Sequence, residues 1–187
     1  MKQAVLAVLA ATIAIYVWGF VYWGASGVPY YAWEQAPDDR AAVAALLEHF
    51  PESGVYYMPG NDHPGEVRSE LFERGPTGFV IIDRDGRPAF DTSIMIGGLL
   101  LNAIVVMGLT LLLRITLPAA PGYGQRLRIV AYAGAVAVLL INFGDVVWWA
   151  IPMDWVLAQA VYNFTAIVLA GAILAAFIKP GPAPAAG

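Results

Sequence analysis

Apolar residues in this chain gather into four long unbroken runs, at residues 4–24, 94–117, 127–150 and 155–178. Crossing a hydrocarbon layer of about 30 Å takes about 20 helical residues, and each run is long enough. The strands of a membrane barrel would instead alternate apolar and polar positions over short segments. The pattern therefore predicts four membrane-spanning helices. The last two runs are separated only by a few residues around Pro152, which predicts a tight hairpin.

Between the first two runs the pattern changes. Val43, Leu46, Leu47 and Phe50 recur at helical spacing behind Asp38 and Asp39, and one of these acids is a good N-cap. Residues 55–58 and 79–82 read as short strands, and 59–65 (PGNDHPG) as turn. Residues 66–74 read as a short helix with Val67 and Leu71 on one face. Asp85-Gly86 turns the second strand, and residues 87–90 are expected to return as a third. Together these elements make a small α/β cap, inserted between helices 1 and 2 of an all-α membrane protein with a four-transmembrane-helix bundle. The expected divisions are a first span in residues 1–24, the cap in 25–93, three spans in 94–178 and a tail in 179–187. The first run, preceded by Lys2, has the outline of a secretory signal. A signal's apolar core is about 7–15 residues, and this run is longer and rich in Tyr, Trp and Phe. A retained signal-anchor is the expectation. The Pro/Ala/Gly composition of the tail predicts disorder.

Composition fits a membrane protein. The chain is 59% hydrophobic and 13% charged, whereas a soluble domain is about half apolar and a quarter charged. It has no cysteine, which excludes disulfides, thiolate metal sites and cysteine nucleophiles. The net charge of −4 conceals an asymmetry. With the first run taken as leaving the cytoplasm, Lys2, Arg114, Arg126, Arg128 and Lys179 all fall on the inner side, without an acid. Residues 34–91 carry twelve acids and five arginines. Short cytoplasmic loops are enriched in Lys and Arg, so both termini are expected in the cytoplasm and the cap outside. All six tryptophans lie at or near the outer helix ends, where indole anchors in the headgroup region. Such a one-sided belt also suits a surface that meets a partner or ligand.

Three short motifs carry a resemblance. They are Val17-Trp18-Gly19-Phe20 late in the first helix, GVYYMP at 54–59, and Trp148-Trp149 near the last hairpin. Over most of its length the chain resembles a poorly characterised class of bacterial four-span membrane proteins. The resemblance implies a bacterial inner membrane, with the cap periplasmic, and no known chemistry.

Candidate chemistry centres on polar side chains within the spans. Asn102, Asn142 and Asn163 sit at about the same depth, roughly 10–13 Å from the outer helix ends, with Asp145 and Gln159 nearer the surface. Asn142 and Asp145 are three residues apart, and Gln159 and Asn163 four, so each pair is expected to share a face. Unpaired amides in lipid are costly, so these groups should turn inward and meet. That layer acts either as interhelical glue or as a ligand pocket under Trp148 and Trp149, with Asp145 supplying charge. Asp154 is expected to cap the last helix. His49 and His63 are the weak metal candidates, because neither belongs to a compact ligand motif. Small residues at Ala131, Gly134, Ala135, 170–172, Ala175 and Ala176 allow close helix packing, chiefly within the chain.

Phosphate loops, catalytic triads and basic nucleic-acid patches are absent. The expectation is a protein without cofactor, catalysis or nucleic-acid binding: an accessory or scaffold subunit of a bacterial inner-membrane assembly, of the respiratory or photosynthetic kind. Its partners would be membrane lipid and other membrane-protein subunits. The alternative is a small transporter or binder of a quinone, lipid or other amphipathic small molecule at the outer leaflet, held by Asn102, Asn142, Asp145, Trp148, Trp149, Gln159 and Asn163.

Overall fold

The computed structural model describes residues 2–180; most of the expected tail, residues 181–187, lies outside them. It is 71% helical. Four helical stretches are long and apolar enough to cross a membrane: Lys2–Ala25, Thr92–Thr116, Tyr123–Trp149 and Met153–Phe177. The chain divides into two compact units, one of residues 1–33 and 92–187, the other Glu34–Asp91.

In the larger unit, α1 (Lys2–Gly19) continues into a π-helical turn, Phe20–Ala25, and a 3-10 turn, Val28–Ala32. α4 (Thr92–Thr116) is unbroken, whereas α5 (Tyr123–Val138) passes through a second π-helical turn, Leu139–Phe143, into α6 (Gly144–Trp149). α7 (Met153–Phe177) packs against α1, α4 and α5. Its central place follows from its small residues: Ala158, Ala160, Ala166, Ala170, Gly171 and Ala175 are all buried. Side chains this short let neighbouring backbones approach, which is how helices associate where no water drives them together. Two glycines mark a close approach between α5 and α7. A methyl group placed on Gly171 would stand 2.5 Å from Val130 Cγ1, and one on Gly134 2.8 Å from Ile167 Cγ2. The expected small-residue faces are thus used within the chain. Around them lies the core, with Ala11, Ile15, Val106, Leu113, Val130 and Leu174 at its centre.

The hairpin between α6 and α7 is made by Ala150, which adopts a left-handed conformation (φ 54). The Ala150 and Ile151 N–H groups both donate to the Asp145 carbonyl. Pro152 takes the N-cap position of α7, and Asp154 sits one residue inside the helix start. Its Oδ1 accepts from the Trp155 N–H at 2.8 Å. Asp154 is therefore a first-turn acid favoured by the helix dipole, not the expected cap.

In the small unit, α2 (Asp39–His49) is capped by Asp38, whose carboxylate accepts from the Arg40 and Ala41 N–H groups. β1 (Gly54–Met58) pairs antiparallel with β2 (Gly78–Ile82), Tyr56 opposite Val80, and α3 (Gly65–Arg74) lies between them in sequence. Tyr57 stacks with Phe79 at 4.8 Å and Phe72 at 6.0 Å. Arg84 donates to the carbonyls of Leu47 and Phe50, which closes the C-terminus of α2. The third strand expected at 87–90 does not form. Pro88 has no N–H for a ladder, and Arg87 is held by Asp83 at 2.7 Å instead.

Candidate functional site

Both π-helical turns do the same local work. A π turn bonds i to i+5 and so inserts an extra residue, which rotates the following side chains relative to an α-helix. In the first turn the buried residue is Tyr22, and in the second it is Asn142. Each faces α7. The Tyr22 hydroxyl donates to the Ala158 carbonyl at 2.8 Å. Asn142 Nδ2 donates to Gln159 Oε1 at 3.3 Å, and Asn142 Oδ1 accepts from Asn163 Nδ2 at 3.1 Å. Asn142 is only 4% exposed, and these two bonds satisfy the main needs of its buried amide.

Beside this cluster is a cavity of about 340 Å³, bounded by α1, α4, α5 with its π turn, and α7. Three amides line it: Asn102 from α4, Asn142 from the π turn and Asn163 from α7. Asn102 and Asn163 each stand ten residues from their helix starts at Thr92 and Met153, about 15 Å along the axis. Asn102 has no side-chain hydrogen bond among the described residues. Gln159 does not line the cavity but orients Asn142 from behind. The remaining wall is apolar, with Ile15, Val105, Ala137, Ala166 and Ala170 prominent, and Tyr162 supplies an aromatic face.

Four of the seven residues read as a pocket are thus brought together: Asn102, Asn142, Asn163 and, behind them, Gln159. Asp145, Trp148 and Trp149 are not among the residues that line the cavity. Asp145 lies just past the π turn, in α6, and is half-buried, whereas Asn142 is the last residue of that span to line the cavity. Trp148 is 76% exposed, and the cavity has no charged wall. The other tryptophans make ring and hydrogen-bond contacts, with Trp18, Trp23 and Trp155 half-buried and Trp33 exposed. Trp23 stacks with Trp155 and Tyr162, Trp33 with Trp155, and Trp18 Nε1 donates to Thr165 Oγ1 at 3.0 Å. His49 closes α2 and His63 sits in a turn, both exposed. No group of three His, Asp or Glu side chains suited to a metal occurs among the described residues.

One structural residue was hidden in the charge count. Arg126 is only 3% exposed and has no acid partner among the described residues. Its guanidinium donates to the Ala175 carbonyl at 3.0 and 3.2 Å, to the Ala120 carbonyl at 3.3 Å and to that of Pro121. It therefore ties the last turn of α7 and the α4–α5 connection to the start of α5. A cation at the C-terminus of a helix also meets the negative end of the dipole. No local motif announces this role; only an arginine beside Pro-Ala-Ala-Pro hints at carbonyls without helical partners.

These features define a class: a polytopic bundle of four helices of membrane-spanning length, holding a neutral amide cluster against a partly open cavity. The chain matches no protein-family model, no curated protein and no solved structure.

Proposed function

We propose that the chain is a non-catalytic protein of a bacterial inner membrane that holds an amphipathic small molecule in the Asn102–Asn142–Asn163 cavity. On this reading both termini are cytoplasmic and residues 34–91 periplasmic, as the distribution of Lys and Arg favours. The observation that carries the reading is Asn102. It reaches the cavity with unused hydrogen-bonding capacity, while the amides opposite it are already paired with one another. Glue alone would leave no amide over. Native mass spectrometry of the protein released from mild detergent tests this. The wild type should retain a bound small molecule, and Ala137→Leu, which fills the cavity, should lose it. A bare wild-type chain indistinguishable from the variant refutes the reading. Topology is tested separately. The chain lacks cysteine, so Ser69→Cys in intact cells should react with an impermeant maleimide.

A second reading, an accessory or scaffold subunit of a larger membrane assembly, draws support from the exposed ring of Trp148 and from Tyr31, 91% exposed. Both are aromatic, and aromatic residues are enriched at interface cores. Cross-linking in native membranes tests it, and recovery of only lone monomers counts against it.

A further inference from the structure

Resting on the ligand-binding reading above, we infer that the cavity takes a lipoquinone or its quinol, which enters sideways between α4 and α5 with its tail left among lipid. Four features of the cavity select this occupant. The first is charge. None of the thirteen lining residues is an acid or a base. A phosphate or ammonium head placed there would be desolvated without a partner, which costs far more than a neutral polar group. The second is hydrogen bonding. Each amide offers both donor N–H groups and an acceptor oxygen. Asn102 has all of its capacity free, and Asn163 Oδ1 is also unused. A quinone needs donors at its carbonyl oxygens and a quinol needs acceptors for its hydroxyls, and amides serve both without changing protonation.

The third feature is shape. Ala137 on α5 and Ala166 and Ala170 on α7 all line the void, together with Tyr162. Short side chains from both helices leave room for a planar ring, and an aromatic lining residue favours an offset or edge-on approach. The fourth is access. Leu101 on α4 and Ile141 on the π turn line the cavity yet are 60% and 64% exposed. The mouth therefore lies on the apolar flank of the bundle, where a hydrocarbon tail is at home. The inner end is shut where Gly134 meets Ile167 and Gly171 meets Val130.

The test uses the full chain in nanodiscs of phosphatidylcholine, titrated with decylubiquinone and followed by quenching of tryptophan fluorescence. Wild type should show saturable quenching above the linear collisional background. Asn102→Leu should weaken it about tenfold, the loss of one good hydrogen bond at 1.4 kcal/mol per decade. Asn102→Gln, which keeps the amide, should stay within about threefold. Ala137→Leu should leave only the linear component. Should Asn102→Leu unfold, the Gln and Ala137→Leu pair still decides. Purely linear quenching in wild type, or equal saturable quenching in all variants, overturns the inference. If native mass spectrometry then finds a phospholipid that Ala137→Leu loses, the cavity binds an amphiphile but not a quinone. If it finds nothing, the broader ligand-binding reading falls as well.

Discussion

Two glycines set how closely α5 and α7 pack, and they predict different outcomes for two double-mutant cycles. A Cβ on Gly171 would stand 2.5, 2.8 and 3.2 Å from Cγ1, Cβ and Cγ2 of Val130. A Cβ on Gly134 would stand 2.8 Å from Ile167 Cγ2, 3.4 Å from its Cβ and 3.6 Å from its Cδ1. Carbon atoms rest at about 3.5–4.0 Å, so either Gly→Ala change must push the helices apart. Overpacking of this kind costs about 1–3 kcal/mol. The strain should be larger at Gly171, where the obstruction includes a Cβ fixed to the backbone.

The compensating truncations differ accordingly. Ile167→Ala removes Cγ2 and Cδ1 and leaves only the Cβ at 3.4 Å, so Gly134→Ala/Ile167→Ala should lose most of its strain. Val130→Ala removes both methyls but leaves the Cβ at 2.8 Å, so Gly171→Ala/Val130→Ala should recover only in part. Each cycle is read from unfolding midpoints in mixed micelles as the SDS fraction rises, followed by circular dichroism. The expected coupling at 134/167 is about 1–2 kcal/mol, within the range of contacting pairs. At 171/130 the coupling should recover a smaller share of the single-mutant loss. Additivity within about 0.5 kcal/mol in both cycles, or a Gly171→Ala protein as stable as wild type, would refute this packing.

Three further predictions rest on single groups. Arg126→Lys keeps the charge but replaces a fork that bridges three carbonyls with one ammonium, so the unfolding midpoint should fall by the equivalent of about 2–3 kcal/mol; an unchanged midpoint refutes the capping role. Ala150→Gly should stabilise by about 1 kcal/mol, because a left-handed backbone penalises a Cβ, and a loss of stability would contradict the hairpin geometry. Asp38→Ala should cost about 1 kcal/mol and speed hydrogen exchange at the Arg40 and Ala41 amides, while leaving α7 amides unaffected.

The sequence was readable where a single segment carries its own reason. The four spans need only continuous apolar length, and Asp38 announces a helix start by its chemistry alone. The meeting of Asn142 with Gln159 and Asn163 was also legible, because polar groups in an apolar run tend to find one another, whereas Asn102 lines the same cavity without bonding to them. What could not be read was rotation. Nothing in Leu139–Phe143 marks a π turn, yet that turn carries the buried Asn142, while Asp145, three residues later in α6, does not line the cavity. The same blindness affects Phe20–Ala25 and Tyr22. Arg126 was counted as a topological charge because its carbonyl partner Ala175 lies 49 residues away. The missing third strand shows the reverse error. Asp85-Gly86 is a sound turn signal, but a turn cannot make a strand of a segment that contains Pro88.

These elements divide the bundle into two regimes along its length. At the Arg126 end, backbones are locked by glycine contacts and by a guanidinium shared among carbonyls, and Val130, Leu113 and Leu174 are sealed. At the tryptophan end, the contacts are ring pairs, single hydrogen bonds and two π turns, the second of which lines the cavity. The first set is rigid because any separation loses many dispersion contacts at once. The second can exchange one partner for another at little cost, since an amide that leaves Gln159 would find an acceptor on the proposed ligand. On the proposed reading, a membrane protein that admits a ligand from the side needs this combination. A uniformly tight bundle would exclude the molecule, and a uniformly loose one would not hold Asn102 and Asn163 at one level. Mutations at the Arg126 end should therefore change stability and leave ligand affinity intact, whereas those at Asn102 or Ala137 should do the opposite.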